Sequence, residues 1–138
     1  MLRLGLGLGL RLVQVGTAVH AFAPGVIFLT GFYPERYDYG HVVVTRHTLH
    51  GQTLWALHGH LSAKSLEGKV PGAAVEQGEV IGWMGDKEEN GEWFPHTHFQ
   101  LVRLQPVMAD IPGVVARQHR EAALAVYPDP RLVLGPLW

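Results

Sequence analysis

The sequence predicts a mostly β domain, built from short antiparallel strands and closed by a C-terminal helix. Three observations carry that reading. Apolar residues recur at every second position in several segments, the period that puts them on one face of a strand. The 138 residues include 17 glycines and 9 prolines, well above the ~12% that average composition gives, and they are scattered as single turn residues. Two apolar runs, 41–47 and 53–58, lie so close in sequence that only a hairpin through Leu49-His50-Gly51-Gln52 can join them, which makes them antiparallel.

In chain order, Leu4, Leu6, Leu8, Leu10 and Leu12 alternate with Gly or Arg, so residues 4–15 read as a first strand. Gly16-Thr17 turns the chain into a short strand at 18–22, and Pro24-Gly25 turns it again into an apolar strand at 26–32. A polar, aromatic loop covers 33–40 and the hairpin follows. Gly68, Gly72, Gly78, Gly82 and Gly85 punctuate Val70, Val75, Val80 and Ile81, a spacing suited to brief strands around a small sandwich or barrel. Residues 86–94 form a charged loop with an Asn90-Gly91 turn, and 96–104 is the last clear strand. Residues 114–126 carry apolar residues at helical spacing, and Pro128 and Pro130 stop them. With no internal repeat and no linker, residues 1–138 read as one domain.

Composition narrows the function. A net charge of −1 and a pI near 6.7 provide no basic stripe for nucleic acid and no polybasic patch for anionic lipid. The run at residues 4–10 is broken by Arg11 and is far shorter than the ~20 residues of a spanning helix. It also makes a poor signal peptide, although Ala21-Phe22-Ala23 has the form of a cleavage site. The expected location is the cytoplasm, with no membrane span. Gly5-Leu6-Gly7-Leu8-Gly9 lacks the spacing of a phosphate loop. Zero cysteine excludes disulfides and thiolate chemistry, so any metal must be held by histidine and carboxylate.

Nine histidines stand at His20, His41, His47, His50, His58, His60, His96, His98 and His119. Two pairs, His58-Gly59-His60 and His96-Thr97-His98, have the form H-x-H, which in a regular strand aims both imidazoles to one side. Four rings could then converge on one cleft, and neutral imidazole is a common zinc ligand. The plain readings compete: His47 and His50 flank a turn, as solvated residues do, His119 sits beside Arg117 and Arg120, and His20 lies in a short strand. Trp55, Trp83 and Trp93 read as core or cleft wall.

Gly16-Thr17-Ala18-Val19, Tyr39-Gly40-His41-Val42-Val43-Val44, His60-Leu61-Ser62, Gly78-Glu79-Val80-Ile81-Gly82-Trp83-Met84-Gly85 and Pro95-His96-Thr97-His98-Phe99-Gln100-Leu101 follow one another in order. Together they resemble the successive motifs of lysostaphin/LytM-type zinc metallopeptidases over residues 16–104. That leaves 1–15 as an atypical first strand and 105–138 as a C-terminal helix and tail. Gly85-Asp86, Glu89-Asn90-Gly91, Trp93 and Pro128-Asp129-Pro130 are similar, more closely, to the peptidase-like module between a kinase-like phosphotransferase and a class III aminotransferase in some fusion proteins. The resemblance implies a duplicated-hybrid-motif β sandwich or barrel, a peptide or peptidoglycan-like ligand, and membership of a larger multidomain protein. It further implies His98 as a zinc ligand and His60 and His96 as the catalytic imidazoles.

One departure is large. In the family, zinc is also held by the His and Asp of an upstream H-x-G-x-D motif, whose positions fall here on Leu6 and Leu10, or on Gly5 and Gly9. Residues 1–19 contain no His, Asp or Glu, and catalytic zinc needs about three protein ligands. The expectation is a degenerate, non-hydrolytic domain that binds peptide or glycan or serves as a scaffold, with zinc absent or held weakly. The alternatives are a hydrolase with a rebuilt all-histidine zinc site recruiting His58 or His41, and a phosphohistidine carrier of the same fold.

Overall fold

The structure, a computed structural model, describes residues 13–135 and the backbone of a strand at Leu2–Arg3. The expected first strand at 4–15 lies outside the described residues except at its end, where Val15 enters a turn. The strands are β1 (Leu2–Arg3), β2 (Ala18–His20), β3 (Gly25–Tyr33), β4 (Gly40–Leu49), β5 (Gln52–Leu61), β6 (Ala74–Val75), β7 (Val80–Trp83), β8 (His98–Val102) and β9 (Val114–Val115), with helices α1 (Arg120–Val126) and α2 (Arg131–Leu134). The fold is mostly β and antiparallel, with short C-terminal helices, as the alternation and turn residues require.

A five-stranded antiparallel sheet in the order β6-β3-β4-β5-β8 is the centre of the molecule, and β2 pairs with β7 in a separate ribbon. The central hairpin β4–β5 turns on His50 and Gly51, both at positive φ (49° and 75°). That is the turn whose twist matches the strands it joins. Strand alternation then sends successive residues of β4 to opposite faces. Val42 and Val44 join Tyr39, Trp55, Leu57, Val102, Ala109 and Ile111 in one apolar cluster. Val43 joins Ala21, Ile27, Leu61, Val75, Ile81 and Met84 in the other. Val42, Val43, Val44 and Leu57 are fully buried, each worth ~1.5–3 kcal/mol relative to exposure. The two strands that carry His41, His47, His58 and His60 are thus firmly held in the core.

The C-terminal segment departs from the helical reading. The helix spans only Arg120–Val126, preceded by a 3-10 turn at Arg117–His119, while Val114–Val115 form β9 and pair antiparallel with β1, Leu2 opposite Val115 and Arg3 opposite Val114. Two adjacent β-branched residues suit an extended backbone better than a helix. Their partner lies more than a hundred residues away, out of reach of any local pattern. Among the described residues no helix is long and apolar enough to cross a membrane.

Candidate functional site

The H-x-H of β5 does not place its two rings together. Between the pairs His41–Leu61 and Val43–His58, two residues of β5, Gly59 and His60, stand opposite the single Val42. This is a β-bulge, and His60 adopts φ 62° within it. A bulge breaks the period of two. His58 therefore turns to the face of Val43, where its Nε2 lies 3.4 Å from Thr45 Oγ1 and its ring 5.3 Å from Phe99. His60 turns the other way, and its ring centroid lies 4.4 Å from His96 and 5.9 Å from His98. Its backbone is held on both sides, N–H to Tyr39 O at 2.8 Å and C=O from Gly85 N–H at 3.1 Å.

The structure thus brings His60, His96 and His98 together. Trp93 packs against His60 and His96 at 5.9 and 5.8 Å, and Tyr39 meets His98 edge-on at 4.9 Å. His41 is placed apart, stacked on Phe32 at 4.1 Å. His20, His50 and His119 are exposed. His47, against the solvated reading, is 1% exposed. It packs on Phe22, and its Nδ1 and Nε2 reach Pro24 O and Thr45 Oγ1 at 3.0 and 2.7 Å.

One loop, 86–94, supplies the partners of three histidines. Its backbone carbonyls at Glu89, Asn90 and Phe94 accept from Nδ1 of His41, His60 and His96 at 2.9, 3.0 and 2.7 Å. Asn90, fully buried, fixes the loop from inside. Its Nδ2 donates to Gly85 O and Trp93 O at 3.3 and 3.1 Å, and its Oδ1 accepts from Trp93 N–H at 2.9 Å. The Asn90-Gly91 turn was readable from sequence, whereas three carbonyls aimed at three imidazoles leave no side-chain signal.

Sequence reasoning missed the wall opposite the loop. Tyr39 Oη donates to Ile111 O at 2.6 Å, and Gln100 Nε2 donates to Pro112 O at 3.0 Å. The chain between them passes so close that a Cβ on Gly113 would lie 2.8 Å from Tyr39 Oη and 3.8 Å from His98 Cε1. The Pro112-Gly113 pair was the available hint of a tight passage.

Burial, and next the neighbouring His96 and His98, push the His60 pKa down to about 3. Burial likewise lowers that of His98. Both rings are neutral at physiological pH. The zinc implied by the resemblance needs three or four converging donors. Among the described residues no group of three or more His, Cys, Asp or Glu is placed to hold a metal ion, and residues 1–12 and 136–138 contain none of these types. The donor set does not fit a catalytic zinc.

Comparison with known proteins gives a consistent picture. A family model described as peptidase family M23 matches residues 7–109. The catalytic domain of the antimicrobial peptidase lysostaphin from Staphylococcus simulans is similar with a TM-score of 0.58 and 23% identity, over 90% of this chain and 74% of that one. The catalytic domain of a mutant of the prophage-encoded M23 protein EnpA from Enterococcus faecalis gives 0.54 and 24%, over 73% of each chain. A solution structure of lysostaphin gives 0.51 and 26%, over 69% of this chain and 35% of that one. No curated protein matches significantly.

Proposed function

Since the chain belongs to peptidase family M23, we propose that it is a non-hydrolytic member whose histidine cleft binds a peptide or glycan of the peptidoglycan kind. The observation that carries this is the donor set: three gathered imidazoles, His60, His96 and His98, with no carboxylate among them and no three-donor metal group among the described residues. Hydrolysis in this fold would need a Lewis acid to activate water, and the side chains present do not assemble one. What they do offer is a cluster of imidazoles walled by aromatic rings. Tyr39 and Trp93 flank the rings, a combination that takes up amides and sugar faces by packing and hydrogen bonding. Lysostaphin, which shares the fold, is described as an antimicrobial peptidase, and this supports the ligand class.

The test is direct. The purified chain, with and without added zinc, is incubated with peptidoglycan, and both retention on the insoluble polymer and release of new amino groups are measured. Retention without release, weakened by His60→Ala, is the expected result. Stoichiometric zinc uptake accompanied by release of amino groups overturns the reading. It would favour instead a hydrolase with an all-histidine site, the second reading that the closeness of the three rings supports.

A further inference from the structure

Each ring of the cluster is tied by one nitrogen, and the chemistry of its partner fixes which nitrogen carries the proton. Asn90 O and Phe94 O are carbonyls and can only accept, so His60 and His96 donate from Nδ1 and leave Nε2 a bare lone pair. His98 is tied the other way round. Its Nε2 lies 3.2 Å from Oε1 of Gln100, whose own Nε2 lies 3.0 Å from Pro112 O. Because Pro112 O cannot donate, the Gln100 amide must turn its N–H toward it, and the amide oxygen is left to face His98. His98 then carries its proton on Nε2 and bares Nδ1. Gln100 is 8% exposed and sits within β8, so it has little room to turn over.

We infer that Gln100, braced by Pro112 O, is a positioning residue that sets the tautomer of His98, so that each ring of the cluster keeps one proton-free nitrogen and accepts from a hydrogen-bond donor, an ammonium or hydroxyl group, in preference to pairing with a carboxylate or phosphate. A carboxylate or phosphate brings only lone pairs to a proton-free ring nitrogen and makes no hydrogen bond with it, whereas an ammonium or hydroxyl group donates to it. The ligand clause rests on the binding function proposed above; the tautomer clause stands without it.

The experiment uses the full chain labelled with 15N in its histidines. Long-range imidazole correlation spectra at neutral pH identify the bare nitrogen of each ring in the ligand-free protein. The expected result is pyridine-type signals from His60 Nε2, His96 Nε2 and His98 Nδ1. Gln100→Leu, which removes the acceptor oxygen, shifts His98 toward a mixture of tautomers and leaves His60 unchanged. A wild-type His98 bare at Nε2, or a Gln100→Leu variant whose His98 signals match the wild type, overturns the tautomer assignment. A change at His60 as large as that at His98 marks general disruption and also counts against it. Ethanolamine and inorganic phosphate are then added separately at matched ionic strength. Perturbation of the bare nitrogens by ethanolamine supports the ligand class. Perturbation by phosphate alone, or by neither, overturns that clause while leaving the tautomer result as measured.

Discussion

His60 holds a left-handed backbone, φ 62°, that a residue with a Cβ adopts at a cost of ~1–2 kcal/mol. Its backbone bonds to Tyr39 and Gly85 and its ring bond to Asn90 offset that cost. The H-x-H rule failed at this residue because it assumes a regular strand; Gly59, a glycine inside a strand pattern, was the sign of a bulge. The H-x-H at 96–98 kept its rings together because His96 precedes β8 and is held by the loop, and no alternation rule governs it. Gly113 shows the same dependence on a single atom. Gly113→Ala puts a methyl 2.8 Å from Tyr39 Oη and is expected to lower stability by roughly 1–3 kcal/mol in urea unfolding. Combining it with Tyr39→Phe removes the clashing oxygen, so the double variant should lose less than the sum of the two single losses. Strict additivity would show that the passage at 111–113 is looser than described.

At the scale of the element, the hairpin was the most legible part of the chain, since two apolar runs and a short connection leave one geometry. Its turn still holds His50 where the favoured residue is Asn, and His50 is at φ 49°. His50→Asn is expected to raise stability by about 0.5 kcal/mol, read as a higher urea midpoint with unchanged slope. The loop 86–94 was legible only as a charged turn, because its work is done by backbone carbonyls. Asn90 is the residue on which it depends, through three bonds of 2.9–3.3 Å in full burial. Asn90→Ala removes three buried hydrogen bonds, the amide donations to Gly85 O and Trp93 O and the acceptor of Trp93 N–H, and should cost roughly 2–3 kcal/mol. If the loop is what holds the cleft histidines, amide exchange at Trp93 and the imidazole signals of His60 and His96 should change together in this variant. A thermal loss without a change at either ring would sink that account of the loop. The strand at Val114–Val115 was not legible at all, since its pairing with Leu2–Arg3 is a property of the closed chain.

The whole molecule has two histidine groups on opposite faces of one sheet, and burial lowers the pKa of rings in both. On the face away from the cleft, His47 and His58 share Thr45. His47 donates from Nδ1 to Pro24 O, so its Nε2 accepts the Thr45 hydroxyl, whose oxygen accepts in turn from His58 Nε2. That leaves His58 Nδ1 buried without a partner. Protonation would have to occur there, in a buried site with His47 beside it. Burial first, and His47 second, hold the His58 pKa at about 3 against an ordinary 6.5. Burial lowers that of His47 as well. Between these limits the unfolded chain binds a proton at position 58 that the folded chain does not. Stability is therefore fully present above pH 6.5 and falls as the pH drops toward 3, by roughly 1.4 kcal/mol per pH unit for this one ring. His58→Leu removes the ionisable group and the unpartnered nitrogen, while Thr45 keeps its hydrogen bond to His47. Urea unfolding at a series of pH values is expected to give a shallower acid slope in the variant, by about that amount per unit, with the two proteins converging to a constant difference near neutrality. Equal slopes would mean that His58 takes up its proton without unfolding, and that the far face of the sheet opens to water in acid.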